Sequence, residues 1–144
     1  SRLTISVQDN YQRTIALSSV DLILLYLGES ELNPALNLLE PDVIWYPKAG
    51  EEVSGGIVWV VGLIRPVNEQ PLIIELIDKN GNILGSKEVQ PPFPSGEDTH
   101  ARFDIGVPYT VYEATEVRLT LRQESANRIP GTVALTSVLI TIEP

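Results

Sequence analysis

The stretch that most constrains the fold of this chain is residues 57–89, in which short polar breaks separate three apolar runs. The runs are residues 57–64, 72–77 and 83–89. All three have the length and the β-branched composition of strands. Asn80 and Gly81, between the second and third runs, both tolerate the positive φ that a type I′ turn requires. The sequence therefore predicts a β-meander at the centre of a small sandwich, with a tight hairpin turn at Asn80-Gly81.

The alternation of side chains predicts which residues face the core. Glu75 is the lone charge of its run, so Leu72, Ile74 and Leu76 are predicted to point inward. Trp59 alternates with the apolar residues of the first run and is predicted to lie in the core together with Ile57 and Val61. In two later strands the predicted inward residues are Ala101, Phe103, Ile105, Val117, Leu119 and Leu121. The predicted outward residues of those strands are Arg102, Asp104, Arg118, Thr120 and Arg122.

Composition excludes several classes of function. The net charge of −9 argues against nucleic acid and anionic lipid as partners, because their phosphates need Lys and Arg. No apolar run reaches the roughly 18–20 residues of a membrane span, so direct membrane insertion is not expected. The absence of cysteine excludes disulfides, thiol catalysis and cysteine zinc sites. Ser1 is not a natural start, which leaves room for a signal or a lipid anchor upstream.

An internal repeat links the two ends of the chain. Residues 2–5 (RLTI) match residues 118–121 (RLTL) in three of four positions, and residues 14–20 (TIALSSV) match residues 132–138 (TVALTSV) in five of seven. The identities include Arg, Thr and Ser, which burial alone would not fix. The simplest interpretation is that a preceding copy of a domain ends in this chain and a complete copy follows. The alternative is convergence of two amphipathic hairpins.

The repeat divides the chain into three predicted segments. Residues 1–27 are the terminal hairpin of a preceding copy, residues 28–42 are a linker, and residues 43–144 are the complete copy. Asn33 as N-cap, Pro34 as first helical residue and Pro41 as a stop predict a short helical turn over residues 34–39, whose leucines dock against a neighbouring sheet.

The apolar face of the terminal hairpin is predicted to be covered, because an isolated two-stranded hairpin is marginal in water. Pairing with a second molecule, which would give a homo-oligomer through this hairpin, is the favoured cover. The chain's own sandwich, through residues 36–39, is one alternative, and exchange with the closing hairpin of another copy is a second, because residues 2–24 resemble residues 118–142.

Seven candidate strands occupy about a hundred residues with frequent turn signals, so residues 43–144 are predicted to form an all-β, antiparallel Ig-like sandwich of about seven strands. A wider pattern of residues at turn and core positions carries a resemblance to a known family. It comprises Ile44, Pro47, Gly50, Val53, Ser54, Gly55, Gly62, Ile73, Ile74, Glu75, Leu76, Asp78, Gly81, Phe103, Leu119 and Leu121.

Through this pattern, residues 44–143 resemble the bacterial immunoglobulin-like domain of spore-germination proteins and of other secreted or lipid-anchored bacterial proteins. The resemblance implies an extracytoplasmic location, secreted or anchored to the cell surface. It implies no catalytic residues. The internal repeat departs from the spore-germination setting, since it indicates tandem copies.

No constellation of residues predicts a metal site or a cofactor. Asp78, Asn80 and Asn82 resemble the start of a calcium loop, but Ile83 and Val89 stand where that loop needs glycine and glutamate. A hairpin turn is the preferred interpretation. Weak calcium binding by loop acids, at residues 51–52 or 97–98, is the alternative.

Catalytic chemistry is also not predicted. His100 is the single histidine, so it has no second histidine or cysteine with which to bind zinc. No spacing provides it with the serine and aspartate of a triad, and it is predicted to be an exposed strand residue. Adjacent acids in an extended strand point to opposite faces and make poor acid–base pairs.

The aromatic residues supply the candidate binding site. Trp45, Tyr46, Tyr109 and Tyr112 are the candidates for a sugar-stacking platform. Around the Pro108 loop, one tyrosine hydroxyl is alternatively expected to bond a backbone carbonyl as a structural corner. The predicted function is a non-catalytic structural, adhesion or spacer module whose partner is a protein or a cell-wall glycan. A carbohydrate- or peptidoglycan-binding module is the alternative.

Overall fold

The computed structural model describes residues 1–21 and 41–144, and the regular structure of these residues consists of ten β-strands. The strands are β1 (Arg2–Gln8), β2 (Thr14–Asp21), β3 (Asp42–Tyr46), β4 (Glu52–Val53), β5 (Ile57–Ile64), β6 (Leu72–Asp78), β7 (Ile83–Val89), β8 (Ala101–Pro108), β9 (Thr115–Glu124) and β10 (Thr132–Ile142).

The strands form two sheets, which we call the large and the small sheet. The large sheet has the order β1-β2-β10-β9-β6-β7, and the two-residue β4 also pairs with β10. The small sheet has the order β3-β5-β8. All pairings are antiparallel except that of β4 with β10. The prediction of an all-β antiparallel sandwich is confirmed, with eight strands rather than seven between residues 42 and 144.

The core lies between the two sheets and follows the alternation of the strands. Leu72, Ile74 and Leu76 of β6 are fully buried, as Glu75 predicted. The inward assignment of β9 is also confirmed, since Leu119 is fully buried. The other buried apolar residues include Val53, Val58, Val60, Ile64, Phe103, Val107, Tyr109, Val117, Leu121, Ile140 and Ile142.

The prediction that Ile57, Trp59 and Val61 of β5 face the core is wrong. Val58 and Val60 are fully buried, whereas Ile57 and Trp59 are 43% and 54% exposed. Because β5 is apolar on both faces, its sequence contains no polar residue that marks the solvent side. Trp59 therefore lies outside the core, on the outer face of the small sheet.

The turn between β6 and β7 forms at the predicted place but with different geometry. Gly81 has a φ of 88°, and Asn80 is not among the residues with positive φ, so the turn is not type I′. The Gly81 N–H donates to the Asp78 carbonyl, and the pairing shifts register beside Ile77. A type I turn followed by a left-handed glycine and a bulge accounts for this geometry.

Thr120 departs from its predicted outward exposure. It is 4% exposed although it alternates with the inward residues of β9, and its hydroxyl donates to the Glu75 carbonyl. Its neighbour Arg122 pairs with both Glu75 and Glu124, so long charged side chains lie across this outer face of the large sheet.

The N-terminal hairpin, β1–β2, belongs to the large sheet of the same chain. β2 pairs with β10 through Ser18 with Ala134 and Leu17 with Leu135. The predicted helical turn over residues 34–39 and most of the predicted linker fall outside the described residues. Asp42, assigned to that linker, is instead the first residue of β3.

Candidate functional site

The candidate site is the outer face of the small sheet, whose β5 positions are apolar although no strand of the described chain covers them. Along β5, every second side chain points outward, namely Ile57, Trp59, Val61 and Leu63. The residues between them, beginning with Val58, are buried on the other face. Tyr46 pairs with Val61 and is 37% exposed. We call these residues, Tyr46, Ile57, Trp59, Val61 and Leu63, the aromatic face. Contiguous exposed apolar surface of this kind marks interaction sites.

Trp59 is the most exposed residue of the aromatic face, and Gly106 of β8 is its cross-strand partner. A Cβ placed on Gly106 would lie 3.4 Å from both Cη2 and Cζ3 of Trp59. The indole therefore lies across β8 at the position where a side chain is missing. Trp59 is nevertheless 54% exposed, so part of its side chain is available to a partner.

A groove of about 430 Å³ runs beside Trp59, at the edge where β8 approaches β7. Its lining includes Gly106 and Pro108 as a floor without long side chains, together with Lys87 and Asp104. This volume lies within the range of small-molecule sites, roughly 300–1,000 Å³. The groove thus combines an aromatic surface with one ammonium and one carboxylate.

A bulge in β3 exposes both Trp45 and Tyr46. The pairing passes from Ile44 opposite Gly62 to Tyr46 opposite Val61, so Trp45 is the extra residue. Trp45 is 48% exposed. The strands approach closely here, because a Cβ on Gly62 would overlap the Val43 carbonyl oxygen. The bulge explains why neighbouring aromatic residues of one strand both reach solvent.

The other two aromatic candidates occupy different environments. Tyr109 is 7% exposed, and its hydroxyl lies 3.0 Å from the Val53 carbonyl oxygen and 2.8 Å from that of Glu143. It therefore ties the ends of β4 and β10 together, and it has no surface for stacking. Tyr112 is 95% exposed in the loop between β8 and β9. The structure thus brings Tyr46 together with Trp59 and leaves the two other tyrosines apart from them.

The charged candidates form turns. Asp78 accepts hydrogen bonds from the backbone N–H groups of Asn80 and Asn82, each at 2.8 Å, and from the Asn82 side-chain amide. The amide of Asn82 and these N–H groups lower the pKa of Asp78, although partial burial raises it. His100 is half-buried just before β8, with its Nδ1 2.9 Å from the Thr99 hydroxyl.

Residues 1–21 and 41–144 contain no group of three or more His, Asp or Glu residues arranged to hold a metal ion. They also contain no helix of the length and apolarity needed to cross a membrane.

No feature of the sequence indicated that Asp42 is a buried carboxylic acid. It is 3% exposed, and its Oδ2 has no hydrogen-bond partner among the described residues. Burial raises its pKa to about 7, and the nearby charge of Arg65 offsets only part of this effect. Asp42 lines a cavity of about 240 Å³ together with Ile5, Val7 and Leu135, at the junction of hairpin and sandwich.

Comparisons of this chain with protein-family models, with curated proteins and with solved structures found no match.

Replacing Tyr109 with Phe should lower the free energy of unfolding by about 1–3 kcal/mol, because the Glu143 carbonyl loses its hydroxyl donor, while the Val53 carbonyl keeps only the Glu143 N–H. Urea titration of both proteins measures the change. The matched control is Tyr112→Phe, which removes a hydroxyl from an almost fully exposed ring and should change stability by less than about 0.5 kcal/mol. Equal stabilities of the two variants would contradict the structural role of Tyr109.

Asp42 should make stability depend on pH. The folded chain keeps the Asp42 proton up to about pH 7, whereas the unfolded chain releases it near 3.8. The free energy of unfolding should therefore fall as pH rises between these values and level off above them, by roughly 4 kcal/mol at most. Asp42→Asn should flatten this slope in urea titrations at several pH values. The exposed Asp98→Asn is the control, and a slope unchanged by Asp42→Asn would refute the assignment.

Proposed function

We propose that this chain is a non-catalytic structural, adhesion or spacer module of a secreted or cell-surface bacterial protein, and one of tandem copies. The observation that carries the proposal is the apolar inner face of the N-terminal hairpin. Leu119 and Leu121 of β9 are fully buried under the small sheet, whereas the matching residues Leu3 and Ile5 of β1 are 52% and 69% exposed. The hairpin thus carries the core residues of a sandwich whose small sheet lies elsewhere.

The pairing register supports the same interpretation. Leu3 pairs with Val20 in β1–β2, as Leu119 pairs with Val138 in β9–β10. The following residue pair keeps the correspondence, since Thr4 faces Ser19 as Thr120 faces Ser137. Two convergent hairpins would share an apolar pattern, but a common register of the same residue types is what repeated copies supply.

The aromatic face is the surface through which such a module would contact a protein or a cell-wall glycan. Singly exposed apolar residues are ordinary on a protein surface, but Ile57 and Trp59 lie on one face of β5, and Tyr46 pairs with Val61 on the same face. Aromatic residues in the centre of an apolar patch are the usual anchors of protein interfaces.

The tandem proposal is tested by supplying the missing part of a preceding copy. A chain in which residues 41–117 are joined directly to Arg2 places Val117 before Arg2, as it precedes Arg118 in the sequence. We expect the added segment to fold on the hairpin and the amides of residues 3–5 to become protected from hydrogen exchange. The control is the same extended chain with the substitutions Leu3→Asp and Ile5→Asp. An added segment that stays unfolded in both chains would overturn the proposal.

A second candidate function is binding of a cell-wall carbohydrate, and the groove beside Trp59 favours it. The apolar C–H face of a sugar ring packs well on the negative face of an indole. Asp104 and Lys87 provide an acceptor and a donor for its hydroxyl groups in the same groove. Gly106 has no side chain, so the floor of this groove is open to a ligand.

Sedimentation with insoluble peptidoglycan, chitin and cellulose tests this candidate. Trp59→Ala should weaken binding to the retained polymer by about tenfold or more, because it removes the central aromatic contact. Tyr112→Ala, a truncation of an exposed tyrosine away from the groove, should leave binding unchanged. Equal binding of the two variants, or no binding of the original chain to any of these polymers, would exclude the carbohydrate function and leave the tandem proposal untouched.

A further inference from the structure

The contact between the N-terminal hairpin and the sandwich is formed by equivalent strands of the repeat. β2 corresponds to β10 in sequence, with Leu17 at the position of Leu135 and Ser19 at that of Ser137. In the structure the two strands pair antiparallel, and Leu17 lies directly opposite Leu135. Equivalent residues that face each other across antiparallel strands define a local two-fold axis. The hairpin therefore sits where a second copy of β10 would sit.

Side-chain hydrogen bonds across this contact are reciprocal. The Ser137 hydroxyl donates to the Ile15 carbonyl at 2.7 Å, and the Ser19 hydroxyl donates to the Val133 carbonyl at 3.1 Å. Since Ile15 matches Val133 and Ser19 matches Ser137, each bond is the two-fold counterpart of the other. Such reciprocity is the signature of an isologous interface.

The arginines at the ends of the repeat extend the symmetry. Arg2 donates to the Ser125 hydroxyl at 2.7 Å and to the Pro130 carbonyl at 3.3 Å, in the loop between β9 and β10. Its match, Arg118, lies 3.5 Å from Asp9, in the loop between β1 and β2. Each arginine thus reaches the turn of the other hairpin.

Hydrogen bonds within the turn between β1 and β2 position Asp9 for its contact with Arg118. Partial burial raises its pKa, but hydrogen bonds from the backbone and guanidinium of Arg13 and from the Tyr11 N–H lower it overall. The carboxylate is therefore charged opposite Arg118 at neutral pH.

We propose that the edge of β10 that faces β2 is a self-complementary docking surface whose partner is the closing hairpin, β9–β10, of another copy of this domain. In this chain the N-terminal hairpin occupies the surface and imitates that partner. When the hairpin is displaced, two chains pair β10 to β10 about an axis near Leu135. Ser137 of each chain then bonds the Val133 carbonyl of the other, and each Arg118 reaches the other β9–β10 loop.

The test uses the full chain and detaches β2 from β10 without changing any residue of β10. Leu17→Pro removes a backbone N–H from β2 and so prevents β2 from pairing with β10. We expect this variant to have twice the mass of the 15.8 kDa monomer in light scattering, whereas the original chain stays monomeric at the same concentration. Circular dichroism and a cooperative melt establish that the sandwich is folded. A folded, monomeric Leu17→Pro variant would overturn the proposal.

Cysteine cross-linking locates the contact, because the chain has no cysteine of its own. Leu135→Cys lies near the proposed axis, so in the Leu17→Pro background it should form a disulfide-linked dimer on oxidation. Ser86→Cys, on β7 at the opposite edge of the large sheet, is the control. Cross-linking at Ser86→Cys that equals that at Leu135→Cys would reject β10 as the contact.

A gentler pair of variants keeps the proposal testable if Leu17→Pro fails to fold. Arg2→Ala with Ser19→Ala weakens only the hairpin side, and the yield of Leu135→Cys dimer should rise by about tenfold or more. Ser137→Ala removes a bond from both the hairpin contact and the β10 pair, so it should not raise the yield to that extent. An equal rise in the two cases, or no rise in either, would refute self-complementarity.

Discussion

The backbone of β10 has to be hydrogen-bonded along both edges, and the rest of the structure is arranged around this requirement. β9 pairs with one edge over nearly the full length of the strand. The other edge is divided. β2 lies opposite Ala134 and Leu135, and β4 lies opposite Thr141 and Ile142. The Gly50 N–H donates to the Leu139 carbonyl between these two regions. A single strand thereby joins the hairpin, β9 and the segment from Gly50 to Val53.

Strands with one polar face could be predicted from the sequence, and strands without one could not. Glu75 fixed the phase of β6 because a charge among apolar residues points to solvent. β5 has no such residue, and its outward Trp59 is as apolar as its inward Val58 and Val60. The location of the turn at residues 78–82 followed from Asn and Gly, but its type depended on the bulge that the strand register imposed.

The candidate site depends on contacts between distant parts of the sequence, which explains why it was only partly predictable. The flat placement of Trp59 requires Gly106 opposite it, and that pairing is set by the register of β5 with β8. The hydroxyl of Tyr109 finds its two carbonyls on β4 and at the end of β10. Exposure of Tyr46 follows from a bulge that no local pattern marks. Aromatic residue types indicated a binding function, but only the sheets decide which rings are accessible.

The two matching hairpins separate what the local sequence encodes from what the surroundings decide. Both keep the same register, because the alternation and the Thr–Ser pairs specify it within the hairpin itself. Burial differs completely, since Leu119 is fully buried and Leu3 is half exposed. The difference arises from the small sheet, which covers β9 and not β1. An apolar face is therefore retained in a place where residues 1–21 and 41–144 leave it exposed, and the proposal of tandem copies assigns its cover to a neighbouring copy.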